Sequence, residues 1–113
     1  MEPKNIEKLI NDPEIRQKWD KESLVKFVDF RGYGSDVVYY YKQNKAPWPF
    51  KNRDFVERRL INFLPNGDVH TCFEAIEAFE YPVSSEAERG ETVLGGMFIR
   101  KKGSNEVEIT MVN

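Results

Sequence analysis

The chain of 113 residues is long enough for one small domain, and 40% hydrophobic with 32% charged residues is an ordinary globular composition. With 17 basic and 19 acidic side chains the formal net charge is −2, so the sequence predicts no bulk attraction to nucleic acid. One cysteine, Cys72, excludes an internal disulfide, and with the single histidine, His70, it is too little for a zinc site. We therefore expect no nucleic-acid partner, no metal and no cofactor.

Nothing in the sequence indicates export or membrane insertion. No apolar run approaches the roughly 18 residues of a spanning helix, and the charged start from Met1 to Lys4 is unlike a signal peptide. A lone cysteine also fits a reducing compartment. The sequence predicts a soluble, cytoplasmic protein.

Two short helices are predicted at the start of the chain. Apolar residues recur at helical spacing from Ile6 to Ile10. Asp12 followed by Pro13 then restarts the helix, because Asp suits the N-cap and Pro suits the first helical position. The second helix should run to about Trp19, and its narrow apolar face needs a sheet to pack on.

Beyond the helices the pattern changes to the alternating or short mixed runs that are typical of strands. Asn66 and Gly67 predict a hairpin turn, since both tolerate positive φ. Gly32 to Asp36 predicts another turn, and the polar, breaker-rich run from Pro82 to Gly90 predicts an exposed loop. Six strands are predicted, over residues 24–30, 37–43, 53–63, 69–79, 92–100 and 107–112.

Helices followed by strands joined mostly in hairpins indicate an α+β domain with a six-stranded antiparallel meander. On the fourth strand Thr71 and Phe73 alternate with Cys72, which leaves both faces moderately apolar. We therefore expect both faces of the sheet to be covered. Gly95 and Gly96 inside a strand predict a close approach by another group.

Two motifs carry a resemblance to a known family. One is a P-x-P connector from Pro47 to Pro49, leading into a strand that opens R-D-[FY]-V-x-x-R. The other is the stretch from Leu9 to Asp20, which is similar to the helix "L-x-D-P-x-x-R-x-x-W-D". Together and in this order they resemble the START family of lipid-transfer domains. The strand motif is filled here by Arg53, Asp54, Phe55, Val56 and Arg59.

The resemblance implies a helix-grip fold, with a lipid held in a hydrophobic cavity between the sheet and a C-terminal helix. Residues 1–113 would be a single partial, truncated domain without the family's N-terminal strands and C-terminal lid helix. The implied function is non-enzymatic lipid binding and transfer between membranes. The implied partners are a phospholipid, sterol or sphingolipid and, transiently, a membrane surface to which the protein binds peripherally.

The family motif also implies which side chains face the cavity. Departures from the family leave the lipid class open: the inward acid of sterol-binding relatives would fall near Tyr40, and the aromatic cage of choline-binding relatives is not reproduced at Lys42 and Val93. A cavity arginine must meet an acid, a buried water or the polar head of a ligand, and Glu57 and Glu74 are the candidate acids. The implied lipid-binding residues are Arg59, Phe55, Glu57, Val38, Tyr40, Lys42, Val93, Met97 and Ile99.

Other functions stay open from the sequence. The chain could be an accessory lipid-sensing or interaction domain of a larger protein such as an acyl-thioesterase, a cavity enzyme, or an interaction module that has lost transport. No nucleophile or catalytic acid pair is indicated, which disfavours the enzyme. Trp48 is either a membrane-inserting tip or packs onto its own domain. A sheet apolar on both faces also predicts that this chain forms a homo-oligomer.

Overall fold

The computed structural model describes residues 1–31 and 36–112, so most of the turn predicted at Gly32 to Asp36 lies outside the described residues. The chain starts with two helices, α1 (Pro3–Asn11) and α2 (Pro13–Trp19). The strands that follow are β1 (Leu24–Asp29), β2 (Val37–Asn44), β3 (Asn52–Phe63), β4 (Val69–Ala75), β5 (Ala87–Arg89), β6 (Gly95–Lys101) and β7 (Val107–Val112).

The predicted start of α2 is confirmed by its cap. The backbone N–H of Ile15 donates to Asp12 Oδ1 at 3.1 Å, and Pro13 occupies the first helical position. The helix ends at Trp19, as predicted. Short-range hydrogen bonding therefore defines this element without help from the rest of the fold.

Six of the strands form the predicted antiparallel meander, in the order β1-β2-β3-β4-β6-β7. The hairpin between β3 and β4 turns at Gly67, which has a φ of 95°. The predicted close approach at Gly95 is also found, since a Cβ there would lie 2.4 Å from the Phe73 ring.

The structure corrects three strand predictions. The fourth strand ends at Ala75 rather than near Phe79, and the next long strand begins at Gly95 rather than at Thr92. The segment predicted as an exposed loop contains β5, which pairs in parallel with β3 and buries Ala87. Local sequence does not indicate β5, because its partner strand lies far away in the chain.

The segment containing β5 covers the outer face of the sheet. Arg89 Nε donates to Asp54 Oδ1 at 2.7 Å, and the Tyr41 hydroxyl donates to Asp54 Oδ2 at 2.9 Å. The Tyr81 ring stacks on the Tyr41 ring with the centroids 4.2 Å apart. Part of this face is therefore closed by the chain itself, as its apolar content predicted.

The inner face carries the core and the two helices. A cluster of buried residues from β1 to β4 forms the core, and α1 lies across it toward β4 and β6. The inner face is covered at the end where α1 crosses and open toward the β2–β3 hairpin. The core cluster consists of Leu24, Phe27, Val38, Tyr40, Ile61 and Val69.

Candidate functional site

The open end of the inner face holds a cavity of about 490 Å³ between the two helices and the sheet. This volume falls within the roughly 300–1,000 Å³ of typical small-molecule sites. Its walls are mostly apolar, with a few polar side chains from α1, α2 and the strands. The lining residues are Ile10, Asn11, Arg16, Tyr40, Lys42, Asn44, Phe55, Glu57, Phe73, Thr92, Met97, Ile109 and Met111.

Strand register brings most of the predicted cavity residues together. Lys42 lies opposite Phe55, and Tyr40 lies opposite Glu57, on the paired strands β2 and β3. Because side chains alternate along a strand, all of these point to the inner face. Together with Met97 from β6 they line the cavity, in the orientation that the family motif implied, and their binding of a lipid stays a prediction.

The remaining predicted site residues do not line this cavity. Val38 and Ile99 have the predicted inward orientation, but they are buried toward the end of the sheet covered by α1. The prediction for Val93 is wrong, since this residue precedes β6 and is 90% exposed. Its neighbour Thr92 reaches the cavity instead, and its carbonyl accepts a hydrogen bond from the N–H of Ala75.

Arg59 is buried on the inner face as predicted, but its partner is not either of the predicted acids. Its Nε lies 3.8 Å from Glu7 Oε1 on α1, which is too long for a hydrogen bond. Its guanidinium also sits 5.5 Å from the centre of the Tyr40 ring. Glu74 pairs with Arg58 instead, and Glu57 with Tyr40.

Burial acts on both members of this ion pair. It raises the pKa of Glu7 and lowers the pKa of Arg59, and the charge of each partner opposes the shift of the other. Sequence reasoning missed Glu7. The available signal was its place on the helix face shared by Pro3 and Ile10, where an acid is unusual.

Glu57 and Tyr40 form a buried polar pair in the cavity wall. The Tyr40 hydroxyl donates to Glu57 Oε1. Burial, and then the Glu57 charge, raise the pKa of Tyr40, so its hydroxyl keeps its proton and remains a donor. This bond uses one acceptor position of the Glu57 carboxylate and leaves others for a ligand.

Lys42 and Arg16 bring positive charge to the cavity. The Lys42 ammonium lies 5.6 Å from the centre of the Phe55 ring and 6.0 Å from that of Phe27. Burial lowers the pKa of Lys42, and the nearby Glu57 charge opposes this shift. Arg16 forms an ion pair with Asp20, the residue that follows α2, and its Nε lies 2.9 Å from Asp20 Oδ2.

Within residues 1–31 and 36–112, no group of three or more His, Cys, Asp or Glu side chains is placed to hold a metal ion. Across the same ranges, none of the helices has the length and apolarity needed to cross a bilayer.

Two helices set against an antiparallel sheet, with a mostly apolar cavity between them, define a protein of the helix-grip class. The START domain profile matches residues 1–113. The chain therefore belongs to the START domain family. Among curated proteins, the comparison found none whose sequence matches this chain.

Solved structures share the fold. Human STARD10 is 21% identical over 99% of this chain, with a TM-score of 0.87, and this chain covers 45% of it. The human StarD13 (DLC2) lipid transfer and protein localization domain is 20% identical over 98% of this chain, with a TM-score of 0.81 and 55% of that domain covered.

A bacterial protein has the same fold. The STAR-related lipid transfer protein of Xanthomonas axonopodis is 17% identical over 99% of this chain, with a TM-score of 0.73 and 62% of its own length covered. The chain thus spans about half the length of the solved structures that it matches.

Proposed function

We propose that this chain binds one amphipathic lipid, a phospholipid, sterol or sphingolipid, in the cavity on the inner face. The observation that carries the proposal is the cavity itself: about 490 Å³, with walls whose area is mostly apolar and which also carry polar side chains. Apolar walls remove the lipid's hydrocarbon from water, and the polar groups orient its head group. Membership of the START family supports the same ligand class.

In this proposal the chain is the lipid-holding part of a carrier that moves lipid between membranes and has no catalytic role. It works in the cytoplasm and meets membranes only peripherally. The loop between β2 and β3 supports the contact with a membrane, because it exposes 92% of Trp48 and 72% of Phe50. Lys45 and Lys51 flank these rings and suit the negative surface of a cytoplasmic leaflet.

Native mass spectrometry of the purified chain, after incubation with vesicles of mixed lipids, tests the proposal. We expect one lipid per chain. Ile109→Glu places a charge in the cavity wall and should reduce lipid occupancy about tenfold or more, because a carboxylate there opposes hydrocarbon burial.

Val112→Glu provides the matched control. It lies on the same strand, is 49% exposed against 44% for Ile109, and does not line the cavity. Its occupancy should equal that of the unaltered chain. Equal loss in both variants, or no bound lipid in the unaltered chain, would contradict the proposed function.

A further inference from the structure

Within the described part of the chain, two of the charged groups around the cavity make no direct ion pair. Arg16 is paired with Asp20, and Arg59 faces Glu7 behind the cavity wall. Lys42 lies over the Phe27 and Phe55 rings with the Glu57 charge nearby, and among the described residues it forms no direct ion pair or hydrogen bond.

Glu57 is the matching anion. Its carboxylate accepts a hydrogen bond from Tyr40, a neutral partner, and it has no ion pair within residues 1–31 and 36–112. Burial makes a charge costly unless an opposite charge or strong hydrogen bonds compensate it. The cavity thus presents one cation and one anion that attract each other across a gap and that no described residue contacts as an ion pair.

The two groups stand side by side on neighbouring strands. Lys42 is opposite Phe55 and Glu57 is opposite Tyr40, so Lys42 and Glu57 are diagonal neighbours on one face. The backbones of diagonal neighbours in an antiparallel pair are about 7–8 Å apart. The two charged ends form no direct ion pair with each other, so a small polar group that reaches both could bridge them. Both line the cavity.

We propose that the cavity selects a lipid whose head group is neutral overall and offers an acceptor oxygen to Lys42 and an N–H or O–H donor to Glu57. This inference rests on the proposed function and specifies the lipid class. Two sources share the required chemistry: a zwitterionic aminophospholipid such as phosphatidylethanolamine, and an uncharged lipid with hydroxyl and amide groups such as ceramide. Either would compensate both charges at once.

The same geometry discriminates against two other classes of lipid. A choline head group has no N–H to donate to Glu57, and the Lys42 ammonium already lies over the Phe27 and Phe55 rings that could hold a quaternary cation. An anionic head group would meet Lys42, but it would leave the site with one uncompensated negative charge beside Glu57.

A competition experiment tests the selection. The 113-residue chain is incubated with equal amounts of phosphatidylethanolamine, ceramide, phosphatidylcholine and phosphatidic acid of matched acyl chains, and the bound lipid is quantified. We expect one or both of the first two to exceed each of the last two about tenfold, roughly the effect of one charged hydrogen bond. Which of the two dominates identifies the source.

Two substitutions should shift the selection in opposite directions. Glu57→Gln keeps an acceptor for Tyr40 but removes the negative charge, so phosphatidic acid should gain about tenfold relative to phosphatidylethanolamine. Lys42→Met removes the cation, so it should capture less phosphatidic acid than the unaltered chain does. The exposed α2 variants Glu14→Gln and Lys18→Met, which change charge equally, should leave the bound lipids unchanged.

The outcomes separate this inference from the proposed function. Equal loading of the four lipids, or a preference for phosphatidylcholine or phosphatidic acid, overturns the inference but leaves lipid binding in place. No bound lipid at all overturns both. If Glu57→Gln does not fold, the selectivity of the unaltered chain and of Lys42→Met still decides the matter.

Discussion

At the scale of single residues, the buried pair of Glu7 and Arg59 joins α1 to the inner face of β3. The two charges lie 3.8 Å apart, and neither Arg59 Nε nor Glu7 Oε1 has a hydrogen-bond partner. A buried ion pair with such geometry recovers little of its desolvation cost. We infer that the pair fixes where α1 lies rather than adding stability.

Replacing the pair by apolar side chains of similar size should stabilise the fold. We expect Glu7→Leu/Arg59→Met to unfold with a free energy about 1–4 kcal/mol higher than that of the unaltered chain, as measured by urea denaturation. Arg59→Met alone should be less stable than the double variant, because it leaves Glu7 buried opposite an apolar side chain. A double variant less stable than Arg59→Met would contradict this account.

The pKa of Glu7 gives a pH test of the same pair. Burial raises this pKa in the folded state from its ordinary 4.5, so the folded chain binds the proton more tightly than the unfolded chain. The Glu7 contribution to stability is therefore fully present below pH 4.5 and is lost as the pH rises through the folded pKa. Glu7→Gln should lack this loss when unfolding free energies are compared across that window.

At the scale of elements, β5 depends on Asp54. The carboxylate accepts from Arg89 and Tyr41, while its backbone carbonyl accepts from the N–H of Gly90 at 2.8 Å. One residue at the start of β3 thus holds the covering segment through its bonds to Arg89 and Gly90, and its bond to Tyr41 ties the same carboxylate to β2. These bonds are what the Asp54 position of the strand motif contributes to the structure of this chain.

Asp54→Ala should release β5 from the sheet. We expect the free energy of unfolding to fall by about 3 kcal/mol or more, because Arg89 is left partly buried without its carboxylate partner. Amide hydrogens from Ala87 to Gly90 should also exchange faster. Glu74→Ala breaks a half-exposed pair with Arg58 and should cost less than about 1 kcal/mol. Equal losses in the two variants would show that Asp54 has no special role.

The loop between β2 and β3 is the second element with a testable role. The reading in which Trp48 packs onto its own domain is wrong, since its side chain is 92% exposed. Trp48→Ala should weaken binding to anionic vesicles about tenfold, the effect of losing one large apolar group from the bilayer interface. The control is Trp19→Ala, because Trp19 is also exposed but its indole N–H donates to the Leu9 carbonyl. A co-sedimentation assay measures the binding of both variants. Equal binding by the two would argue against membrane docking through the loop.

At the scale of the whole molecule, β7 is an edge strand of the sheet. It exposes Ile109, Met111 and Val112 to different extents, and the first two also line the cavity. An apolar edge strand with unpaired backbone groups is a template for pairing with a second copy. Homo-oligomer formation, which the sequence also predicted, stays a prediction.

We expect the lipid-free chain to self-associate through β7. Sedimentation velocity should show a concentration-dependent shift to dimers or larger species at high micromolar concentrations. Met111→Lys should reduce the shift, because an edge-strand lysine disfavours pairing with a second strand. A clean monomer over the whole concentration range would contradict the prediction.

Elements with local signals could be predicted from the amino-acid sequence. Asp12 and Pro13 define the start of α2 through bonds within one helical turn. The period of two along β3 places Phe55, Glu57 and Arg59 on one face, and the family motif identifies that face as the cavity side. These features depend on backbone geometry over a few residues, so a linear pattern can specify them.

The contacts between distant groups depend on how the helices and strands pack together. Glu7 rather than Glu57 or Glu74 faces Arg59, because α1 crosses the sheet at that point. β5 lies beside β3, where Arg89 donates to Asp54. Val93 lies outside β6, because that strand begins only at Gly95. The first two outcomes join segments that lie far apart in the chain. Packing and strand register select the partners there, and neighbouring residues do not indicate them.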